Sequence, residues 1–178
     1  MLNLGGTFSV FVSHSARDNQ YLEVIRGALR GTGARPYIAE ENLTPGAQLS
    51  KKIRTKIEEC EVFLLLLTEN SASSAFVNQE IGYAIGLDKF VLPVVIGDKC
   101  PHNLCSDIEY IRLDLANPGP SIRAIRSVIK QRKAEAELSD LVKVGAIALG
   151  AVAWAKYGPQ AKERLALWWK NLNRPPQQ

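Results

Sequence analysis

Val62-Phe63-Leu64-Leu65-Leu66-Leu67-Thr68 is followed, after a short gap, by Ser73-Ser74-Ala75-Phe76-Val77-Asn78-Gln79-Glu80-Ile81-Gly82. The first stretch is a continuous apolar run, the mark of a central strand covered on both faces. The second opens a helix, with Ser73 or Ser74 as its cap and Val77, Ile81, Ala84 and Ile85 as its core stripe. Phe76 and Glu80 are four residues apart, so a helix sets them side by side on one face. An acid beside an aromatic, at the end of a buried strand, is a candidate ligand pocket. Read alone, Glu80 is a solvated helix residue, as most helical glutamates are. The rest of the chain changes that reading.

Outward from this stretch, strands and helices alternate. Phe8-Ser9-Val10-Phe11-Val12 is β-branched and aromatic, and reads as a strand. Ser15 and Asp18 then have capping-box spacing, with Asp in place of Glu or Gln. The helix they open carries Leu22, Ile25 and Leu29 on one face and turns Glu23, Arg26 and Arg30 away. Gly31-Thr32-Gly33 ends it. Arg35-Pro36-Tyr37-Ile38-Ala39 is a second strand, placed at an edge or a strand start by Pro36. Glu40 to Gly46 is a loop, and the helix after it points Leu49, Ile53, Ile57 and Cys60 inward. Past the third helix, Phe90 to Ile96 is a fourth strand, Ile108 to Leu113 a weaker fifth. Ser121 to Lys133 is a helix with Ile122, Ile125 and Ile129 inward. This alternation predicts an α/β fold, a parallel sheet with helices on both faces. Such a sheet binds ligands at the carboxyl ends of its strands. Those ends are the loops Ser13 to Asp18, Glu40 to Gly46 and Thr68 to Phe76.

Residues 134–178 leave the alternation and read as a helical extension, broken near Gly158-Pro159. Its apolar run, Val144 to Ala155, lies between Lys143 and Lys156. That is shorter than the ~20 apolar residues of a comfortable membrane span. Gly145 and Gly150 permit close helix packing. A role in self-association and simple packing on the same chain stand level, with membrane association behind them.

Composition narrows the function. Apolar residues make up 46% and charged residues 22% of 178 positions, ordinary values for a globular chain. The net charge of +4 is mild, and its basic residues are not interleaved with exposed aromatics. Nucleic acid is therefore not an expected partner. The three cysteines, Cys60, Cys100 and Cys105, argue against a disulfide framework and fit a reducing compartment. Cys100-Pro101-His102-Asn103-Leu104-Cys105 lacks the fourth ligand and the spacing of a structural zinc site, so no metal is expected. The start of the chain has neither a basic region nor a long apolar core, so no secretory signal is expected and the chain reads as cytoplasmic.

Taken together, these residues resemble a TIR domain, and its prokaryotic members more than the animal receptor adaptors. Val10-Phe11-Val12-Ser13-His14-Ser15, then Asp18, resembles the family's first strand and the loop after it. Glu41-Asn42-Leu43-Thr44-Pro45-Gly46 resembles its second-strand loop, and Val62 to Thr68 its third strand. Phe76-Val77-Asn78-Gln79-Glu80 is similar to the family's Trp-x-x-x-Glu pattern, with Phe in place of Trp. The resemblance covers residues 7–133 and implies a flavodoxin-like, doubly wound, five-stranded parallel sheet, with residues 134–178 as its helical appendage.

Enzymatic TIR domains cleave the nicotinamide–ribose bond of NAD. The resemblance implies that this chain is an NAD glycohydrolase or cyclase with Glu80 as the catalytic carboxylate, and that it serves prokaryotic antiviral defence. NAD is then the substrate, and neither metal nor cofactor is needed. It further implies that Ser13, His14, Ser15, Arg17 and Asp18 line the substrate site, that Phe76 walls it, and that Asn42 and Gly46 lie on a loop used for binding and assembly. His14 reads as a loop residue rather than a general base. Implied partners are NAD, further copies of the chain joined through the TIR domain and the C-terminal helices, and a downstream effector protein. Two readings compete. One is a non-catalytic module that only assembles with other TIR domains, which needs no carboxylate at Glu80. The other is a nucleoside deoxyribosyltransferase, which shares a similar fold and a catalytic Glu but not the Pro45-Gly46 loop. A response regulator would need an acidic pair after the first strand, which this chain lacks.

Overall fold

A computed structural model describes residues 7–38, 50–97, 100–101, 103–106 and 108–157. Five strands form one sheet in the order β2-β1-β3-β4-β5, every neighbouring pair parallel. They are β1 (Ser9–Ser13), β2 (Arg35–Ile38), β3 (Val62–Leu67), β4 (Phe90–Val95) and β5 (Ile111–Arg112). The helices are α1 (Leu22–Leu29), α2 (Lys51–Glu59), α3 (Glu69–Ala72), α4 (Ala75–Gly86) and α5 (Pro118–Tyr157). Short 3-10 helices cover Ala16–Tyr21 and Asn103–Ser106. The expected α/β architecture is present, with β2 at an edge, where Pro36 costs no ladder bond, and β3 in the centre.

Every residue of β3 is buried, so the apolar run is a strand clothed on both faces. Strand alternation divides the core. Phe11, Phe63, Leu65 and Leu67 point to one side, with Ile53 and Ile57 of α2 and Val77, Ile81 and Ala84 of α4. The Phe11 and Phe63 rings stack there, centroids 5.4 Å apart. Val10, Val12, Leu64 and Leu66 point the other way and are equally buried, as are Ile25, Leu29, Ile125 and Ile129. Arg126 of α5 ties those last helices together by donating to the carbonyls of Gly27 and Ala28 at the end of α1.

Four expectations need correction. The segment after β3 is a short helix, α3, because Thr68 caps it and exchanges a reciprocal pair of hydrogen bonds with Ser71. Ile85 is 46% exposed, since the buried stripe of α4 runs Val77, Glu80, Ile81, Ala84 and ends a turn before the C-cap. Cys100 and Cys105 form a disulfide: Cys105 lies on the 3-10 helix just after Cys100, and their α-carbons are 6.3 Å apart, within bridging range. Last, the helix expected over 121–133 begins at Pro118 and continues to Tyr157, through residues 134–157 of the extension. Gly158-Pro159 lies outside the described residues.

Two compact units divide the chain, the described residues up to Glu135 lying in one and those from Ala136 in the other. Among the described residues no helix is long and apolar enough to cross a membrane. On the second unit, Leu138, Leu141, Val142 and Ile147 of α5 are exposed.

Candidate functional site

Ser13 ends β1, two residues beyond Phe11, so strand alternation turns its side chain toward the α4 side of the sheet. There its hydroxyl donates to Glu80 Oε2 at 2.6 Å. Glu80 lies in the buried stripe of α4 and is only 1% exposed. It is therefore not a solvated helix residue. Glutamate is seldom buried without partners, because desolvating its charge is costly. The bond to Ser13 fixes Glu80 to the carboxyl end of β1, next to the end of β3, where β1 and β3 pair through Ser13 and Leu65. That is the crevice in which a parallel sheet of this kind holds its ligands.

The loop after β1 is built from short-range bonds. Ser15 caps the 3-10 helix by accepting from the Arg17 amide, and the Asp18 amide donates to the Ser15 carbonyl at 2.8 Å. Asp18 does not spend its carboxylate on the capping its spacing suggests. It is fully buried and accepts from Thr68 Oγ1 at 2.6 Å and from Asn70 Nδ2 at 2.8 Å. Thr68, Asn70 and Ser71 are the site-forming residues that spacing alone passes over. The signal for two of them is present, since Ser71 follows Thr68 at helix-capping distance. Asn78 then joins α3 to α4, donating from Nδ2 to the Ala72 carbonyl at 2.9 Å.

His14 is buried as well. Its Nε2 lies 3.0 Å from Asn19 Oδ1, within hydrogen-bond distance. His14 Nδ1 has no hydrogen-bond partner among the described residues. Arg17 is exposed, and Phe76 is half-buried on α4, one turn before Glu80. Asn42 and Gly46 lie outside the described residues. The structure thus gathers Ser13, Ser15, Asp18 and Glu80 at one end of the sheet, in polar contact with one another or with the β3–α4 connection. Among the described residues no cluster of His, Cys, Asp and Glu has the makings of a metal site.

The sequence profile of the TIR domain family matches residues 10–126, more than half of the chain. No curated protein matches it. Among solved structures, the chain is similar to the TIR domain of the Toll-related receptor TRR-2 from the lower metazoan Hydra magnipapillata. The two are 14% identical with a TM-score of 0.55, over 70% of this chain and 97% of that one. It is also similar to the RPS4 and RRS1 TIR domain heterodimer, 15% identical with a TM-score of 0.53, over 70% of this chain and 96% of that one. A 2-desoxiribosyltransferase from Leishmania mexicana gives 20% identity and a TM-score of 0.41. There the match spans 49% of this chain and 64% of the enzyme's own length.

Proposed function

The chain belongs to the TIR domain family, and on that premise we propose that it cleaves the nicotinamide–ribose bond of NAD, with Glu80 as its catalytic residue. The observation that supports this most is the buried carboxyl group of Glu80 at the carboxyl end of the sheet, held by Ser13. An interaction surface gains nothing from burying an acid, whereas a reaction that builds positive charge on a sugar does. Breaking the N-glycosidic bond leaves an oxocarbenium-like ribose, and nicotinamide departs neutral. A carboxylate facing the ribose hydroxyls and the cationic carbon stabilises that charge and orients the sugar. Ser13 holds one carboxylate oxygen and so sets the direction of its remaining lone pairs.

Phe76, on the same face of α4 as Glu80, walls the site. Ser15, His14 and the exposed Arg17 sit on the loop that would meet the rest of the dinucleotide, together with Asn42 and Gly46 of the second loop. Water or an internal nucleophile captures the cation, so hydrolysis and cyclisation share every step up to that point. We place the activity in antiviral defence signalling, as the resemblance implies, and in the cytoplasm. With Cys100 and Cys105 bridged, cysteine usage does not itself point to that compartment. We further propose that the chain works as a homo-oligomer, joined through its TIR domain and through the exposed apolar residues of α5.

The test is nicotinamide release from NAD by purified protein over a range of protein concentrations. Release by the wild-type chain, and its loss in a folded Glu80→Gln variant, supports the assignment. A wild-type protein that leaves NAD intact while it demonstrably assembles would make the chain a non-catalytic TIR module.

A further inference from the structure

We propose that Asp18 is a positioning residue, one that locks the loop after β1 to the β3–α4 connection and so holds Ser13 in place against Glu80. The proposal rests on the NAD-cleavage reading above. Its basis is a closed ring of contacts. Both carboxylate oxygens of Asp18 are engaged, Oδ2 by Thr68 Oγ1 at 2.6 Å and Oδ1 by Asn70 Nδ2 at 2.8 Å. Thr68 and Ser71 fix α3 through their reciprocal bonds. Asn78 of α4 binds the end of α3 at the Ala72 carbonyl, and Glu80 lies two residues further along α4. Glu80 then returns to Ser13, five residues before Asp18.

Two separate staples, Ser13 to Glu80 and Asp18 to Thr68 and Asn70, therefore join the same two segments of chain. A carboxylate that is fully buried and bonded at both oxygens has its geometry committed to protein partners. Its effect on substrate passes through Ser13 and Glu80. A misplacement of about 1 Å at reacting groups costs roughly 100-fold in rate. The loop that carries Ser13 is thus a place where such an error would be felt.

The contact between Asp18 and Asn70 permits an exchange of partners. Asn70→Asp sets two carboxylates against each other at hydrogen-bond distance. We expect kcat for nicotinamide release to fall roughly 10- to 100-fold, with a smaller change in KM. Asp18→Asn alone leaves an amide pair that can turn to make one bond, and is expected to lose less. The double variant Asp18→Asn with Asn70→Asp restores acid against amide with the charge moved to the other side. It should return to within about threefold of wild type, because the paired mutations couple. A double variant as impaired as Asn70→Asp would show that the charge is needed at position 18 itself, and would overturn the proposal. Hydrogen exchange of the amides of residues 13–18, measured on the same proteins, keeps the two readings apart. If the wild type releases no nicotinamide, the NAD reading fails alone. Protection lost in Asn70→Asp and regained in the double variant would still support the clamp, and protection unchanged in both would sink it.

Discussion

The hydroxyl of Ser13 and the carboxyl group of Glu80 meet at 2.6 Å across 67 residues of chain. Each is placed by the periodicity of its own element, Ser13 by the alternation of β1 and Glu80 by the stripe Val77, Glu80, Ile81, Ala84 of α4. The pair can therefore be dissected. Ser13→Ala removes the donor and leaves the acid. It should lower kcat about 10-fold or more while destabilising the fold by about 1–3 kcal/mol, the worth of a buried hydrogen bond to an acid. Glu80→Gln should abolish NAD cleavage with a smaller change in stability, since what it removes is charge. Nicotinamide release and denaturant melts of the two variants separate these outcomes. Equal activity in Glu80→Gln and wild type would reject the catalytic assignment.

Cys60, the free cysteine, ends α2 inside the core, and burial pushes its thiol up from 9.0 to about 11, against the smaller opposing pull of Lys89. Two consequences can be measured. At pH 8 the native protein should be alkylated at Cys60 at least about 100-fold more slowly than the unfolded chain, since so little thiolate is present. Because the folded-state value lies above the unfolded one, the contribution to stability is complete below pH 9.0. It is lost as pH rises toward 11, where the unfolded chain has already given up its proton. Rapid labelling of the native protein at pH 8 would contradict both expectations.

The Cys100–Cys105 bridge closes a small loop around the 3-10 helix after β4. By loop-closure entropy a bridge over so few residues is worth about 2 kcal/mol. Peptide mapping without reductant should recover the two cysteines linked, and reduction should lower the thermal midpoint. A midpoint indifferent to reductant would show that the bridge contributes nothing.

Much of this is legible in the sequence, for identifiable reasons. Val62 to Leu67 is apolar throughout, and only a strand covered on both faces accepts such a run. Pro36, which has no N–H to donate, is tolerated in β2 because that strand lies at an edge of the sheet. The residues that spacing misplaces are those whose partners lie far away in sequence. Asp18 has the offset of a capping residue, yet its bonds go to Thr68 and Asn70, 50 and 52 positions further on. Glu80 reads as a surface acid until β1 supplies Ser13. Ile85 satisfies the apolar period but lies in the last turn of α4, beyond its buried stripe, and stays exposed. The cysteine count errs differently: three residues carry no information about a local turn that brings two of them together.

The extension of α5 offers the last test. Leu138 and Leu141 are 63% and 69% exposed, and Val142 and Ile147 are exposed with them. Two neighbouring turns of one helix thus present large apolar side chains to water, which is costly at about 25 cal/mol per Å² unless a partner covers them. Charging these positions removes the incentive to associate. Because both side chains already face solvent, it should leave the fold of the monomer intact. The double variant Leu138→Glu with Leu141→Glu should therefore show a lower mass by light scattering than wild type at the same concentration, with an unchanged thermal midpoint. If assembly raises the local concentration of TIR domains for catalysis, NAD cleavage by the variant should fall at dilute protein and recover as the concentration is raised. A variant with wild-type mass and wild-type activity at every concentration would remove α5 from the assembly. A wild-type protein that needs detergent to stay dispersed, where the variant does not, would turn the same residues toward a lipid surface instead.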